Sequence, residues 1–309
     1  MNSPPSRIRS WGVLVRLPNL FTVPGDAVAG YVLAGAAGAP AWWPLGLACG
    51  SGLFLYTAGL LLNDLFDIET DRTERPGRPL PSGAVSLKGA AFAGGLCLVL
   101  GNLCACAASP LAGLISVGLA ALILLYNMGV KRVAVVGEAM LGGCRVLNFS
   151  LGAAAVGGGR GVDVLAVAGV FLYIFSVSLI ARHEIESIPS RPLRWAPATV
   201  LLATMVVVLG RRGLDNQSLW WVLEGLLWGG LAVTAATLPA LAMGTATAGE
   251  ETQGAHLVPS CVGRLLRAYI LFQAFLVVSA GTSHAAVIAL ILAALYVPAV
   301  VVGKWFYGS

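Results

Sequence analysis

The stretch LLNDLFDIETDRTERPGRPLPSG, residues 61–83, places three aspartates at the end of a long apolar segment. At 100° per residue on a helix, Asp64, Asp67 and Asp71 fall at roughly 0°, −60° and −20°, so their carboxylates share one narrow face. Like charges on one face repel each other unless a cation lies between them. Carboxylate oxygens suit Mg²⁺, which completes its shell with phosphate oxygens. The stretch therefore predicts Asp64, Asp67 and Asp71 as ligands of Mg²⁺ beside a phosphorylated ligand.

The residues around these aspartates suit the same chemistry. Asn63 supplies an amide oxygen, and Arg72 and Arg78 supply forked donors that match phosphate geometry. The alternative is a solvated loop whose arginines only set membrane topology. Topology does not require acids on one helical face beside hydrocarbon, where ionisable groups are costly and usually functional. We therefore favour a binding site.

The composition indicates a membrane protein. Hydrophobic residues make up 58% of the 309 positions and charged residues 11%, whereas soluble domains carry about 25% charged residues. Segments of about 20 apolar residues can cross a bilayer as helices, and we predict an all-α, polytopic transmembrane helix bundle with nine or ten such helices. The predicted segments are residues 20–38, 42–62, 89–107, 110–128, 135–156, 163–182, 194–210, 219–241, 262–281 and 285–303.

The positions of the basic residues predict the orientation of the bundle. Most of the 19 Lys and Arg residues fall between alternate segments on one side, which by the positive-inside rule is cytoplasmic. We predict a multi-pass protein of the cell (inner) membrane with a cytoplasmic N-terminus and site. The chain forms one membrane domain, residues 1–309, with cytoplasmic loops at 64–88 and 183–194 that cap the site. The net charge of +5 then reflects topology and contact with membrane lipid, and we expect no nucleic-acid partner.

Three motifs resemble one family of membrane enzymes. NDLFDIETD followed by RPLPSG is similar to the first aspartate-rich motif of the UbiA superfamily of intramembrane prenyltransferases, and RLPNLFTVPGDAVAG (16–30) and LYNMGVKR (125–132) agree with it. The resemblance covers residues 14–186. It implies a helical bundle with a cytoplasm-facing cavity, which binds a prenyl diphosphate through Mg²⁺ and transfers the prenyl group to an aromatic or other lipophilic acceptor.

The resemblance also implies roles for individual residues. Asn63 and the three aspartates hold Mg²⁺ and the diphosphate. Asn19 and Asp26 on the first segment face the cavity, although a polar contact between helices is an equal alternative for both. The residues predicted to bind the diphosphate oxygens are Asn63, Arg72, Arg78, Lys131 and Arg182.

The chain departs from the family at its second acidic motif. The family has D-x-x-x-D after its sixth helix, where this chain reads LIARHEIESIPSR, residues 179–191. Glu184 and Glu186 are about 200° apart on a helix and cannot clamp one ion together. Glu184 alone remains a catalytic candidate, with an interfacial salt bridge as its alternative, and Arg182 could pair with Glu186 at the helix end.

A further polar group lies within the fifth predicted segment. GEAMLGGCRVLNFSLG, residues 137–152, together with the altered second motif resembles the divergent EboC-like branch of the superfamily. Glu138, Arg145 and Asn148 fall within roughly an 80° arc of one helix and should face the bundle interior. Arg145 and Asn148 are candidates for an acceptor pocket, and a structural ion pair between helices is the alternative.

Two functions are compatible with these patterns. The first is Mg²⁺-dependent transfer of a prenyl group to a lipophilic acceptor, based on the intact aspartates. The second is a non-catalytic component that binds or transports lipid diphosphates, based on the missing second acidic pair.

Overall fold

The computed structural model describes residues 7–35, 41–156, 163–182, 189–213, 219–245 and 251–307. Within these ranges the chain is helical and contains no β-strand, as the sequence predicts. A 3₁₀ turn, Val130–Arg132, follows the seventh helix. The α-helices are α1 (Arg7–Leu14), α2 (Leu17–Leu20), α3 (Pro24–Gly35), α4 (Trp42–Phe66), α5 (Ile68–Glu74), α6 (Leu87–Ala108), α7 (Pro110–Asn127), α8 (Val136–Ala155), α9 (Val164–Ala181), α10 (Arg191–Gly213), α11 (Leu219–Thr245), α12 (Glu251–Val278), α13 (Ala285–Ala294) and α14 (Tyr296–Tyr307).

Eight helical segments of the described chain are long and apolar enough to span a membrane. Each of the ten predicted segments contains at least one helix in its described part, and the two that fall short of a spanning segment correspond to α3 and α8. α3 has only 12 described residues, and α8 carries Glu138 and Arg145, which are expensive in hydrocarbon. The spanning segments are Trp42–Phe66, Leu87–Ala108, Pro110–Asn127, Val164–Ala181, Arg191–Arg211, Trp220–Thr245, Leu257–Val278 and Ala285–Phe306.

The centre of the bundle is formed by α3, α8 and α12. α12 packs against α3, α9, α11 and α13, and α8 packs against α3, α7 and α9. The part of α12 that could span the membrane is 72% buried, more than any other spanning segment of the described chain. Its Tyr269 ring stacks on Tyr173 of α9, with ring centroids 5.5 Å apart. Polar side chains on these three helices therefore meet each other inside the protein.

Two glycines allow α3 and α8 to approach closely. A Cβ atom at Gly30 would overlap the carbonyl oxygen of Phe149, and one at Gly152 would overlap the carbonyl oxygen of Ala27. Small residues have this effect where lipid provides no hydrophobic drive for helix association. The crossing brings the start of α3 over the middle of α8.

We expect Gly152→Ala to destabilise the protein, because the new methyl group must push α3 and α8 apart. Overpacking of this kind costs about 1–3 kcal/mol. Gly46→Ala in α4 is the matched control, because a Cβ there meets no atom within 4 Å. Thermal unfolding in detergent measures both. Equal melting temperatures for the two variants would contradict the close crossing.

The two predicted cytoplasmic loops are only partly described. Residues 64–88 are not a simple loop, because they contain the end of α4, the short helix α5 and the start of α6. In the second loop, residues 183–188 lie outside the described residues, and α10 begins at Arg191.

Candidate active site

The three aspartates lie where α4 gives way to α5. α4 ends at Phe66, Asp67 stands in the break, and α5 begins at Ile68. Despite this break Asp64 and Asp71 are both buried and converge on one arginine. Arg78 Nη1 lies 2.7 Å from Asp71 Oδ2 and 4.0 Å from Asp64 Oδ1. The proline-rich turn after α5 therefore returns Arg78 over the carboxylates.

Cations from two other parts of the chain complete this group. Lys131 Nζ, on the 3₁₀ turn after α7, lies 2.7 Å from Asp67 Oδ1 and donates to Asn63 Oδ1 at 3.2 Å. Arg16 Nη2, just before α2, lies 3.8 Å from Asp64 Oδ1. Each of the three carboxylates thus lies within 4.0 Å of a cation from another segment of the chain.

Sequence reasoning assigned no role to Arg16. Its backbone has a φ of 45°, in the left-handed region that a side chain other than glycine rarely adopts. This conformation ends α1 and turns the chain into α2. The signal available in the sequence was its position at the start of the family-like segment RLPNLFTVPGDAVAG.

Two predicted diphosphate ligands are placed elsewhere. Arg72 donates to Glu69 Oε1 at 2.6 Å on the exposed side of α5. Arg182 donates to Glu138 Oε1 at 3.2 Å, and its predicted partner Glu186 lies outside the described residues. Of the cavity lining that the structure describes, neither arginine forms a part. The helical turn from Asp71 to Arg72 directs the latter away from the carboxylates.

A cavity of about 1250 Å³ extends from this group into the bundle. Its polar end is formed by Arg16, Asn63, Arg75 and Arg78. The three aspartates and Lys131 adjoin these residues but are not part of the described lining. Typical ligand sites have volumes of about 300–1,000 Å³, so this cavity is larger than a typical site for one small ligand. The apolar wall includes Leu55, Ile123, Leu141, Ile174, Val177 and Leu266.

Of the four predicted cavity residues, Asn19, Arg145 and Asn148 line the cavity but Asp26 does not. Asp26 has no exposed surface. Its carboxylate accepts from Arg145 Nη1 at 2.8 Å and from Asn148 Nδ2 at 3.0 Å. From α12, Gln273 Nε2 at 2.7 Å and Tyr269 Oη at 2.6 Å also donate to it.

This network corrects one expectation and decides between two open alternatives. Asp26 belongs to the bundle interior and not to the cavity wall, and Arg145 forms its ion pair with Asp26 of another helix. The reason is the glycine crossing, which seats Asp26 of α3 directly against Arg145 of α8. The guanidinium also lies 5.1 Å from the ring centre of Tyr56 and 5.4 Å from that of Tyr269. The buried pair joins α3, α8 and α12, which is the structural alternative that the sequence left open.

Glu184 cannot be placed, because residues 183–188 lie outside the described part of the chain. Its catalytic role stays a prediction. Residues of α9, α11, α12 and α14 form the remaining described wall of the cavity.

The oxygen atoms of the aspartates are suitable ligands for Mg²⁺, but they do not form a complete coordination shell by themselves. Among the described residues, no three His, Cys, Asp or Glu side chains lie close enough together to hold a metal ion. Mg²⁺ is usually bound by one or two protein carboxylates together with substrate phosphates. Asp64, Asp67, Asp71 and the amide of Asn63 offer oxygen ligands only. This donor set fits Mg²⁺ that arrives with a diphosphate.

Sequence comparison identifies related proteins. The model of the UbiA prenyltransferase family matches residues 26–254. The digeranylgeranylglyceryl phosphate synthase of Methanococcoides burtonii is 38% identical over 116 residues, which are 37% of this chain and 41% of that protein. The enzyme of the same name from Ignicoccus hospitalis is 28% identical over 184 residues, 59% of each protein. The chain thus spans about half the length of these curated relatives.

Solved structures share the fold. A UbiA homologue from Aeropyrum pernix K1 superposes with a TM-score of 0.63 at 18% identity, over 83% of this chain and 96% of that one. A UbiA homologue from Archaeoglobus fulgidus, bound to GPP and Mg²⁺, gives 0.59 at 14% identity, over 84% and 99%. Since the family model covers well over half of the sequence, the chain belongs to the UbiA prenyltransferase family.

Proposed function

We propose that the protein transfers a prenyl group from a prenyl diphosphate to a lipophilic acceptor within the membrane, in a reaction that depends on Mg²⁺. The observation that carries the proposal is the group Asp64, Asp67 and Asp71, each beside a cation, at the charged end of a large apolar cavity. Homologues with this fold were crystallised with Mg²⁺ and prenyl diphosphates, which supports the same ligands here.

Each part of the site has a distinct task. Arg16, Arg78 and Lys131 lie where they can exchange carboxylate oxygens for diphosphate oxygens, and fixed cations of this kind stabilise charge that develops in the transition state. The aspartates and Asn63 would hold Mg²⁺, which would supply Lewis-acid stabilisation of the departing pyrophosphate. The apolar wall holds the prenyl chain and keeps water away from the allylic carbon.

The transfer balances without a further reactant. The bond between the allylic carbon and the diphosphate oxygen breaks, and its electron pair leaves with pyrophosphate. The hydroxyl oxygen of the acceptor forms the new carbon–oxygen bond, and its proton passes to the departing pyrophosphate. We propose a hydroxyl-bearing glyceryl phosphate lipid as acceptor, because the relatives are named for the synthesis of a glyceryl phosphate with two prenyl groups. An aromatic acceptor is the other chemistry that the family resemblance implies.

The experiment incubates purified protein with labelled geranylgeranyl diphosphate, Mg²⁺ and either a prenyl glyceryl phosphate or an aromatic acceptor. We expect label in the product of the glyceryl phosphate, and no product when EDTA removes Mg²⁺. Label that binds but is never transferred to any acceptor would contradict the proposal and support the binding or transport alternative.

We also propose that the site faces the cytoplasm, on the basis of the basic-residue distribution. Thr73 on α5 is exposed. In a cysteine-free background, a thiol introduced there should react with an impermeant reagent in inside-out vesicles only. Reaction in right-side-out vesicles would reverse the orientation.

A further inference from the structure

A second group of cations lies on another wall of the same cavity. It consists of Arg264 and Arg267 on α12 and Lys304 on α14, all three of which line the cavity. The Arg267 guanidinium lies against α14, since Nη1 is 3.2 Å from the position that a Cβ of Gly303 would occupy. Gly303 directly precedes Lys304, so the Arg267 guanidinium lies next to the part of α14 that carries Lys304. We call these three residues the α12/α14 cations.

The α12/α14 cations differ from the cations at the aspartates. Arg16, Arg78 and Lys131 each have a carboxylate within 4.0 Å. No described ion pair involves any of the α12/α14 cations. Arg264 and Arg267 are also one turn apart on a helix, where like charges destabilise each other. An anion bound between them would remove this repulsion.

Contact with membrane headgroups is the simpler explanation for cations at the end of a spanning helix. It accounts for Arg264 and Lys304, which are exposed. It accounts less well for Arg267, which is half-buried and turned against α14 at a glycine. Gly263 on α12 and Gly303 on α14 both flank this guanidinium without a side chain of their own, which leaves its face towards the cavity open.

The α12/α14 cations also lie close to the predicted diphosphate site. α14 packs against α2, and the Cβ of Pro18 in α2 is 3.9 Å from the Cβ position of Gly303. α2 begins directly after Arg16, which contacts Asp64. Two anionic groups could thus be held on adjacent walls of one cavity. A reaction between two bound lipids needs such proximity, because the reacting atoms must come to about 3–3.5 Å.

We propose that Arg264, Arg267 and Lys304 bind the phosphate group of the acceptor lipid. This inference rests on the proposed function and adds the residues that select the acceptor. Because no carboxylate of the described chain accompanies these cations, the site suits a phosphate monoester without a metal ion. An acceptor held here has its phosphate at the α12/α14 wall, its chain in the apolar cavity and its hydroxyl towards the aspartates.

The test compares wild type with Arg264→Gln/Arg267→Gln, using a prenyl glyceryl phosphate and the same prenyl glycerol without the phosphate. We expect the KM of the phosphorylated acceptor to rise about 10- to 100-fold, since hydrogen bonds to charged groups are worth that much. The KM of geranylgeranyl diphosphate should change by less than about twofold. The variant should also lose the preference of the wild type for the phosphorylated acceptor.

Two further variants separate this role from general damage. Arg267→Lys keeps the charge and should therefore retain most of the acceptor affinity of the wild type. Arg191→Gln removes an exposed cation at the start of α10 that does not contribute to the described lining, and it should behave as wild type. A rise in the KM of the diphosphate instead would make the cluster part of the donor site and overturn the proposal. Unchanged KM values would assign it to lipid headgroups and overturn it as well.

A binding measurement keeps this proposal distinct from the proposed function. Calorimetry in detergent measures the affinity of the prenyl glyceryl phosphate without any transfer. If the wild type transfers no prenyl group but binds this lipid and the double variant does not, the proposed function fails and the phosphate site stands. If transfer occurs but the double variant binds the lipid as tightly as wild type, the phosphate site fails alone.

Discussion

Asp67→Asn combined with Asp71→Asn is expected to reduce prenyl transfer by about 10³-fold. The double variant keeps the shape of both side chains but removes two negative charges from the group that faces Arg78 and Lys131. Without them the site cannot hold Mg²⁺ against the departing pyrophosphate, and removal of one such electrostatic contribution typically costs about 10²–10³-fold. Turnover is measured with labelled geranylgeranyl diphosphate at saturating Mg²⁺.

Glu69→Gln provides the matched control for this experiment. Glu69 belongs to the same acidic stretch, but its side chain is 78% exposed and pairs with Arg72 outside the cavity. We expect its turnover to stay within about twofold of wild type, because exposed ion pairs contribute little. Full turnover in the double aspartate variant would show that these carboxylates do not carry the reaction.

Arg145→Leu should produce the largest loss of stability. The substitution leaves the fully buried carboxylate of Asp26 without a charged partner, and breaking a buried ion pair on one side costs about 3–5 kcal/mol. For a chain of this size the melting temperature in detergent should fall by on the order of 10 °C. Arg191→Leu, at an exposed position of α10, should change it by far less.

The double variant Asp26→Leu/Arg145→Leu completes this test. If the two residues stabilise the bundle as a pair, the double variant should lose less stability than the two single variants together. Additive losses would separate the two residues. An Arg145→Leu protein with unchanged melting temperature but a raised acceptor KM would instead assign Arg145 to the acceptor pocket.

The short-range part of this site could be predicted from the sequence. Helical angles alone predicted that Asp64 and Asp71 share one face. In the structure both carboxylates face Arg78, although the helix breaks at Asp67. The resemblance to the UbiA superfamily and the all-helical fold are both confirmed.

The long-range pairs could not be predicted in the same way. Helical angles placed Glu138, Arg145 and Asn148 on one face of α8, but they do not show that Arg145 pairs with Asp26 across the α3/α8 crossing. Glu138 pairs instead with Arg182 of α9. The Asp26–Arg145 pair depends on how closely α3 and α8 approach, and that approach depends on Gly30 and Gly152. A single sequence shows the glycines but not which helices they bring together.

The central claim is that the three aspartates and their cations bind a diphosphate through Mg²⁺. Calorimetric titration with a non-reactive geranylgeranyl thiodiphosphate tests it without any acceptor. The account predicts binding in Mg²⁺ that weakens at least about tenfold in EDTA and in the Asp67→Asn/Asp71→Asn variant, as expected for phosphates held through a shared metal ion. Equally tight binding with and without Mg²⁺, and in the variant, would contradict it.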